Sequence, residues 1–442
     1  MGISEALKLL TANIRKEMRN SISKGTKSVD FFTFFCAPPL LYPQKCASLQ
    51  QRKQTKLRFH LMPLLPFILL LLIIVPDVYI WWTHVRGNVA TVWSILYWVP
   101  LLLTIGGIGC FVMGHADHWV LKVTFCLFLC CCLPKIFFMV FALVGRLLGL
   151  LHPACATIGA WVGVGVGLLT FSMALYGFLW GWQRLTVKTE RVEIQNLPPS
   201  FEGYKILQIS DLHLGTFGAD TTYIHKMVTR VNELQPDLIV FTGDLVNISP
   251  DELMPFKDLL SRLSASDGVF SIMGNHDYTT YHPEKDLGAR KARIAQLQSA
   301  QREMGWHLLQ NEAHIVRRGA DSLVIVGVEN VARPPFPSYG DLKRAMRNIS
   351  EEAPIILLSH DPTHWRREVI PQHRNISLTL SGHTHGMQFK LAGFSPSQWI
   401  YDEWGGHYRE GEQHLIVSTG AGSNIPFRFG AWPEVVMIEL TR

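Results

Sequence analysis

Long apolar stretches fill the first half of this chain, and short ones punctuate the second. Residues 62–182 are mostly apolar, with polar breaks at His84-Val-Arg-Gly-Asn88, at His115-Ala-Asp-His118 and over 146–152. A helix needs about 20 apolar residues to cross a bilayer. Four stretches reach that length, near 61–82, 92–114, 119–144 and 154–182. The third contains Pro134 and Lys135. A lysine at membrane depth is costly; it marks a functional group, a side chain snorkelling to the interface, or a misplaced boundary. The fourth carries Gly159, Gly163, Gly165 and Gly167, small residues that let helices approach closely. No secretory cleavage site follows the first stretch, which therefore reads as a retained anchor.

The pattern changes after Gln183. Residues 185–194 alternate in the manner of an edge strand, and Leu197-Pro-Pro-Ser200 breaks the alternation. Five short apolar runs follow, each ending in polar residues. Residues 206–209 precede Ser210 and Asp211, 238–241 precede Gly243 and Asp244, and 269–273 precede Gly274 and Asn275. Residues 355–358 precede Ser359 and His360, and 378–380 precede Gly382 and His383. Helical patterns at 223–234 and 290–304 lie between them. Strands alternating with helices predict an α/β layered sandwich, whose chemistry collects in loops beyond the strand ends.

Charge refines this division. Eleven Lys/Arg against three Asp/Glu give residues 1–60 a net charge of +8, which leaves −2 for the rest of a chain totalling +6. The basicity belongs to the tail, so the C-terminal half is not expected to bind nucleic acid. Residues 1–61 otherwise look irregular and read as a disordered tail or a misassigned start. An even number of spans puts both chain ends on one side. The tail, with Arg184, Lys188 and Arg191, outweighs Arg86 and Arg146 in the opposite loops, which predicts a cytoplasmic C-terminal half. All eight cysteines precede residue 156. The soluble half needs no disulfide, which fits the cytosol, and Cys130, Cys131 and Cys132 read as small apolar residues of a membrane helix.

The five loops supply a single chemistry. They offer Asp211 and His213, then Asp244, then Asn275, His276 and Asp277, then His360, then His383 and His385. Residues spaced by two on an extended segment face one side, so Asp211 and His213 can reach one ion, as can His383 and His385. The flanking glycines permit tight turns. Singly, each pair is an ordinary cap or turn. Together, oxygen and imidazole donors without sulfur suit manganese, iron or zinc, whereas calcium prefers oxygen alone and structural zinc prefers cysteine.

Asp211-x-His213, Gly243-Asp244, Gly274-Asn275-His276-Asp277, His360 and Gly382-His383-x-His385 resemble, in order, the motifs of the calcineurin-like metallophosphoesterase superfamily, and the wider strings resemble its bacterial membrane-associated branch. The resemblance covers residues 185–442. It implies a four-layer sandwich, two central β-sheets flanked by helices, as a catalytic domain over 205–442. Before it come the tail (1–60), a membrane domain of four transmembrane helices (61–182) and a linker with an edge strand (183–204). It also implies two divalent ions, Mn2+ foremost and Fe or Zn as alternatives. Asp211, His213, Asp244 and His385 would hold the first; Asp244 would bridge to the second, completed by Asn275, His360 and His383. A hydroxide between the ions would attack a phosphodiester or phosphomonoester. His276 would assist the phosphate or the leaving group, and Asp277 would orient His276.

Two further segments are candidates. Arg428, in Asn424-Ile-Pro-Phe-Arg428, could grip substrate phosphate or make a surface salt bridge. Arg333-Pro-Pro-Phe-Pro337 could border the cleft. Gly386-Met387-Gln388 departs from the family's common Gly-Gly-Gln, a change to the pocket wall. His364, His373, His407 and His414 fit no ligand slot. Membrane anchoring suggests a lipid-linked or nucleotide-lipid phosphoester. Two other classes compete. An inactive membrane sensor or scaffold should lack ligands, yet every slot is filled. A transporter rests on the spans and Lys135 alone.

Overall fold

The computed structural model describes residues 65–113, 118–332, 338–350 and 352–442. The basic tail and the segment 333–337 lie outside the described residues. Two compact units divide the chain at Ile136 and Phe137.

The first unit is helical: α1 (Leu65–Ile80), α2 (Thr91–Leu96), α3 (Val99–Val112), α4 (His118–Leu127) and the start of α5 (Leu133–Leu148). Together with α6 (Ala154–Leu179), these include three helical stretches long and apolar enough to cross a membrane: Thr91–Val112, Trp119–Leu148 and Ala154–Gln183. A shorter apolar helix covers Leu70–Val85. Lys135 has a partner that the apolar pattern concealed. Its Nζ lies 2.5 Å from the fully buried carboxylate of Asp77 and sits over the Tyr97 ring, 4.5 Å from the centroid. The charge is thus paired inside the helices, where an unpaired one would be far more costly.

In the second unit, α5 and α6 pack through glycine. A Cβ on Gly159 would stand 2.4 Å from the Gly145 Cα, and one on Gly163 would stand 2.8 Å from the Phe138 carbonyl oxygen. Gly165 has nothing within 4 Å, so it takes no part in this contact.

Two six-stranded mixed sheets follow. The first holds β1 (Thr186–Glu193), β2 (Lys205–Ile209), β3 (Leu238–Phe241), β4 (Val269–Ser271), β5 (His307–Leu308) and β12 (Glu434–Thr441), in the order β1-β12-β2-β3-β4-β5. The second holds β6 (Glu312–Arg318), β7 (Asp321–Gly327), β8 (Ile355–Leu358), β9 (Ile376–Ser381), β10 (Gly406–Glu410) and β11 (Gln413–Val417), in the order β10-β11-β9-β8-β7-β6. The expected two-sheet sandwich is the observed fold. Ile206, Val240 and Phe270 of one sheet share a buried core with Ile356, Leu358 and Leu380 of the other. The outer face of the first sheet is covered by α7 (Thr222–Glu233) and α8 (Leu287–Glu303), through Met227, Val231 and Leu297. Trp365 and Val369 cover the second. Sheets buried on both faces account for unbroken apolar runs such as Leu238–Phe241, all four residues buried. Strands β2, β3 and β4 run parallel, as do β8 and β9, so their carboxyl ends gather on one side of each sheet.

Candidate metal centre

The loops beyond these strand ends are tight and strained. Asp211, His213, Asp244, His383 and His385 all adopt left-handed backbone, with φ between 48° and 75°. That conformation is unfavourable for residues bearing a Cβ and persists where surrounding structure imposes it, commonly at functional sites. Glycine makes room beside them. A Cβ on Gly274 would lie 2.2 Å from Asp244 Oδ1, and one on Gly382 would lie 2.0 Å from Ser210 Oγ and 2.2 Å from Asp211 Oδ2.

The side chains from both sheets converge. Asp211, His213, Asp244 and His385 form one group of donor atoms, and Asp244, His360 and His383 form another; within each group the atoms lie within 4.8 Å of one another. Asp244 belongs to both. Its Oδ2 is 3.1 Å from His360 Nε2 and 3.6 Å from His213 Nε2. His385 Nε2 is 3.3 Å from Asp211 Oδ1. Asn275 joins the second group, its Oδ1 standing 2.9 Å from His383 Nδ1. All seven expected donors are therefore in one place.

The donors fit metal ions. His213 Nε2 and His385 Nε2 face one another at 3.0 Å, and burial holds both histidines well below the usual imidazole range. Two neutral imidazoles aimed at one point beside two carboxylates are what a cation would bring together. Burial lowers His383 as well. Burial would also lower His360, but the adjacent Asp244 carboxylate overrides it and holds the imidazole at about 10. Burial, with the neighbouring Asp244 charge, pushes Asp211 up to about 6 despite the counteracting His360. His360 is oriented from behind by the Thr242 carbonyl, 2.8 Å from its Nδ1, as the rear nitrogen of a metal-binding histidine usually is.

His276 stands at the edge of the group, half-buried, its ring 4.8 Å from that of His213. Its Nδ1 lies 2.8 Å from the Asn247 carbonyl oxygen, so Nδ1 carries the proton and Nε2 remains available. Asp277 does not orient it. The Asp277 carboxylate accepts instead from the backbone N–H groups of Asp244, Leu245, Val246 and Gly274, at 2.8–3.2 Å. It ties together the turns that present Asp244 and Asn275. Burial and the Asp244 charge raise its pKa to about 7 even so.

Arg428 is also corrected. It is neither a surface residue nor open to substrate: its exposure is 0%. Its guanidinium donates to the carbonyls of Gly422, Ala431 and Thr419 and lies 3.2 Å from His385 Nδ1. It clamps the closing loop and braces a candidate ligand. Met387 and Gln388 have φ of 45° and 57°, so the departure from glycine places a side chain on left-handed backbone. Gln388 Nε2 donates to the Ile425 carbonyl at 2.9 Å, binding the same loop. Two tyrosines escaped the sequence reading. Tyr281 stacks on His276 with centroids 4.3 Å apart and accepts from Asn275 Nδ2 at 3.1 Å; its place five residues beyond His276 was the available signal. Tyr401 Oη lies 3.1 Å from His383 Nε2, and nothing in the motif spacing announces it. His364 contacts Ser359 and Glu368, and His407 pairs with His414; none of these belongs to the cluster.

Known proteins of one family resemble this chain. The family model of calcineurin-like phosphoesterases matches residues 204–387. A second model, described as the probable calcineurin-like phosphoesterase transmembrane domain, matches residues 61–182. A transmembrane protein with metallophosphoesterase domain from Danio rerio is 29% identical over 368 residues, covering 79% of this chain and 80% of that one. The uncharacterized metallophosphoesterase YkuE of Bacillus subtilis is 30% identical over 254 residues, covering 55% of this chain and 81% of that one. The UDP-2,3-diacylglucosamine pyrophosphatase LpxG of Chlamydia trachomatis is 27% identical over 297 residues, covering 55% of this chain and 86% of that one.

Proposed function

The chain belongs to the calcineurin-like phosphoesterases, and we propose that it hydrolyses phosphate esters at two divalent metal ions beside the membrane. Asp211, His213, Asp244 and His385 would hold one ion, and Asp244, Asn275, His360 and His383 the other. Manganese is the metal we favour, with iron and zinc as alternatives suited to the same donors. Bound there, the pair supplies Lewis-acid neutralisation of the phosphoryl oxygens and a nucleophile active at neutral pH.

The protein's own groups do the rest. Asp244 shares its carboxylate between the two donor groups and so sets their spacing. Thr242 fixes the ring of His360 from behind by accepting from its Nδ1–H, and Arg428 packs behind the ring of His385. His276 keeps its Nδ1–H on the Asn247 carbonyl and, in its doubly protonated form, presents Nε2–H to the leaving oxygen as proton donor. Tyr281 holds that ring flat against itself. Asp277 preserves the turns without touching substrate.

The catalytic domain is placed in the cytoplasm behind four spans, on the distribution of Lys and Arg. A lipid-linked substrate is favoured because the chain carries its own membrane domain, and because the Chlamydia relative is named for a diacylglucosamine nucleotide. The observation that carries the proposal is the convergence of both donor groups on Asp244. The test is hydrolysis of an aryl phosphodiester by the detergent-purified full chain with manganese. Asp244→Ala should abolish it; an undiminished rate in that variant would remove the mechanism.

A further inference from the structure

Among the described residues after Gln183, exposed large apolar residues cluster at one place. Leu391, Phe394, Trp399 and Ile400 are 49%, 40%, 76% and 39% exposed within ten consecutive positions. Such a concentration marks an interaction surface, whereas singly scattered residues such as Met254 and Leu287 need no explanation. The segment is built firmly. Leu391 and Phe394 exchange two backbone hydrogen bonds of 2.9 Å across Ala392 and Gly393. Phe394 meets Trp399 edge-on at 5.4 Å. Buried Ser395 donates to the Gly386 carbonyl, beside His385.

Its position is tied to the end of α6. Lys390 N–H donates to the Phe429 carbonyl at 2.7 Å, and Phe429 N–H to the Gln388 carbonyl at 2.9 Å. The Phe429 ring stands 6.3 Å from Tyr176, which stands 5.9 Å from Trp180. Helix α6 has 26 residues, about 39 Å at 1.5 Å per residue, against a hydrocarbon core of about 30 Å. Tyr176 in its last turn and Trp180 just beyond it are the pair expected in an aromatic belt at the lipid headgroups. The exposed segment is continuous with that belt. Lys390, itself exposed, adds a positive charge at the same level, suited to anionic lipid. At its other end the segment returns to the metal centre through Tyr401, 3.1 Å from His383.

We propose that residues 390–400 form an interfacial lip that lies in the headgroup layer of the bilayer and passes membrane-resident amphiphilic phosphoesters to the metal centre. The delivery step rests on the phosphoesterase reading; the immersion of the lip does not. The test places the full chain in vesicles of phosphatidylcholine and phosphatidylglycerol bearing a diazirine near the headgroup end of the acyl chain. After photolysis, peptides are mapped by mass spectrometry. Residues 390–400 should be labelled as strongly as 176–184, while Met254 and Leu287 stay unlabelled. Labelling of 390–400 no greater than at Met254 and Leu287 overturns the proposal, including a lip covered by a protein instead of lipid. A second measurement tests delivery. Phe394→Ser combined with Trp399→Ser should slow hydrolysis of a vesicle-embedded phosphodiester about tenfold and leave a soluble aryl phosphodiester unaffected. Equal rates on both would refute delivery. Failure of the unaltered chain to cleave either ester would count against the phosphoesterase reading, and the labelling would still decide the lip.

Discussion

Arg428 offers the sharpest division between two physical accounts. If it gripped substrate, its loss would appear in KM; if it clamps the closing loop, its loss appears in stability and metal retention. The structure favours the clamp, since three buried carbonyls, of Gly422, Ala431 and Thr419, depend on its guanidinium. Burial lowers its pKa to about 10, which still leaves it charged at neutral pH. Arg428→Met removes the charge and leaves those carbonyls unpaired, each at a cost of about 1–3 kcal/mol. A total of about 3–9 kcal/mol corresponds to a drop of roughly 6 °C or more in Tm for a domain of this size. Arg428→Lys keeps a cation but loses the planar fork, so it should lie between the parent and the methionine variant. The assay pairs thermal unfolding of the detergent-purified chain with metal content and steady-state kinetics on an aryl phosphodiester. Lower Tm and weaker metal retention, with KM nearly unchanged in Arg428→Lys, would support the clamp. An unchanged Tm with KM raised about tenfold or more would refute it.

Two further predictions concern the centre itself. His276→Ala should retain metal yet lose about 10²–10⁴-fold in kcat for an alkyl ester, with a smaller loss for an aryl ester whose leaving group needs no proton; loss of metal would show that His276 is a ligand. Metal loading should release protons, because metal-free His360 is held at about 10 by Asp244 after overcoming its burial. Apparent affinity should therefore strengthen as pH rises from 6 toward 9. Calorimetry in buffers of different ionisation enthalpy measures that release, and none at pH 8 would contradict the pairing. The sign for stability is opposite. A raised histidine pKa stabilises the metal-free fold fully below its unfolded value of 6.5, and that contribution is lost as pH rises through about 10.

The sequence revealed the candidate donors because two conditions coincide. Strands buried on both faces appear as unbroken apolar runs, and the polar residues after them mark the ends where chemistry gathers. Strands β10 and β6 gave no such signal: both sit at sheet edges, and much of each is exposed. The supporting contacts were hidden for a different reason. Asp277 and Arg428 bind backbone amides and carbonyls, which no side-chain motif encodes. Lys135 looked alone because Asp77, its partner, lies 58 positions away in a stretch read as an apolar span. Tyr401 reaches His383 only through the fold of the exposed segment before it.

Anomalous X-ray scattering from crystals of the manganese-loaded chain would examine the shared role of Asp244 most directly. Two peaks should flank its carboxylate, one within bonding distance of His213 and His385 and the other of His360 and His383. A single peak, or none touching Asp244, would contradict the account.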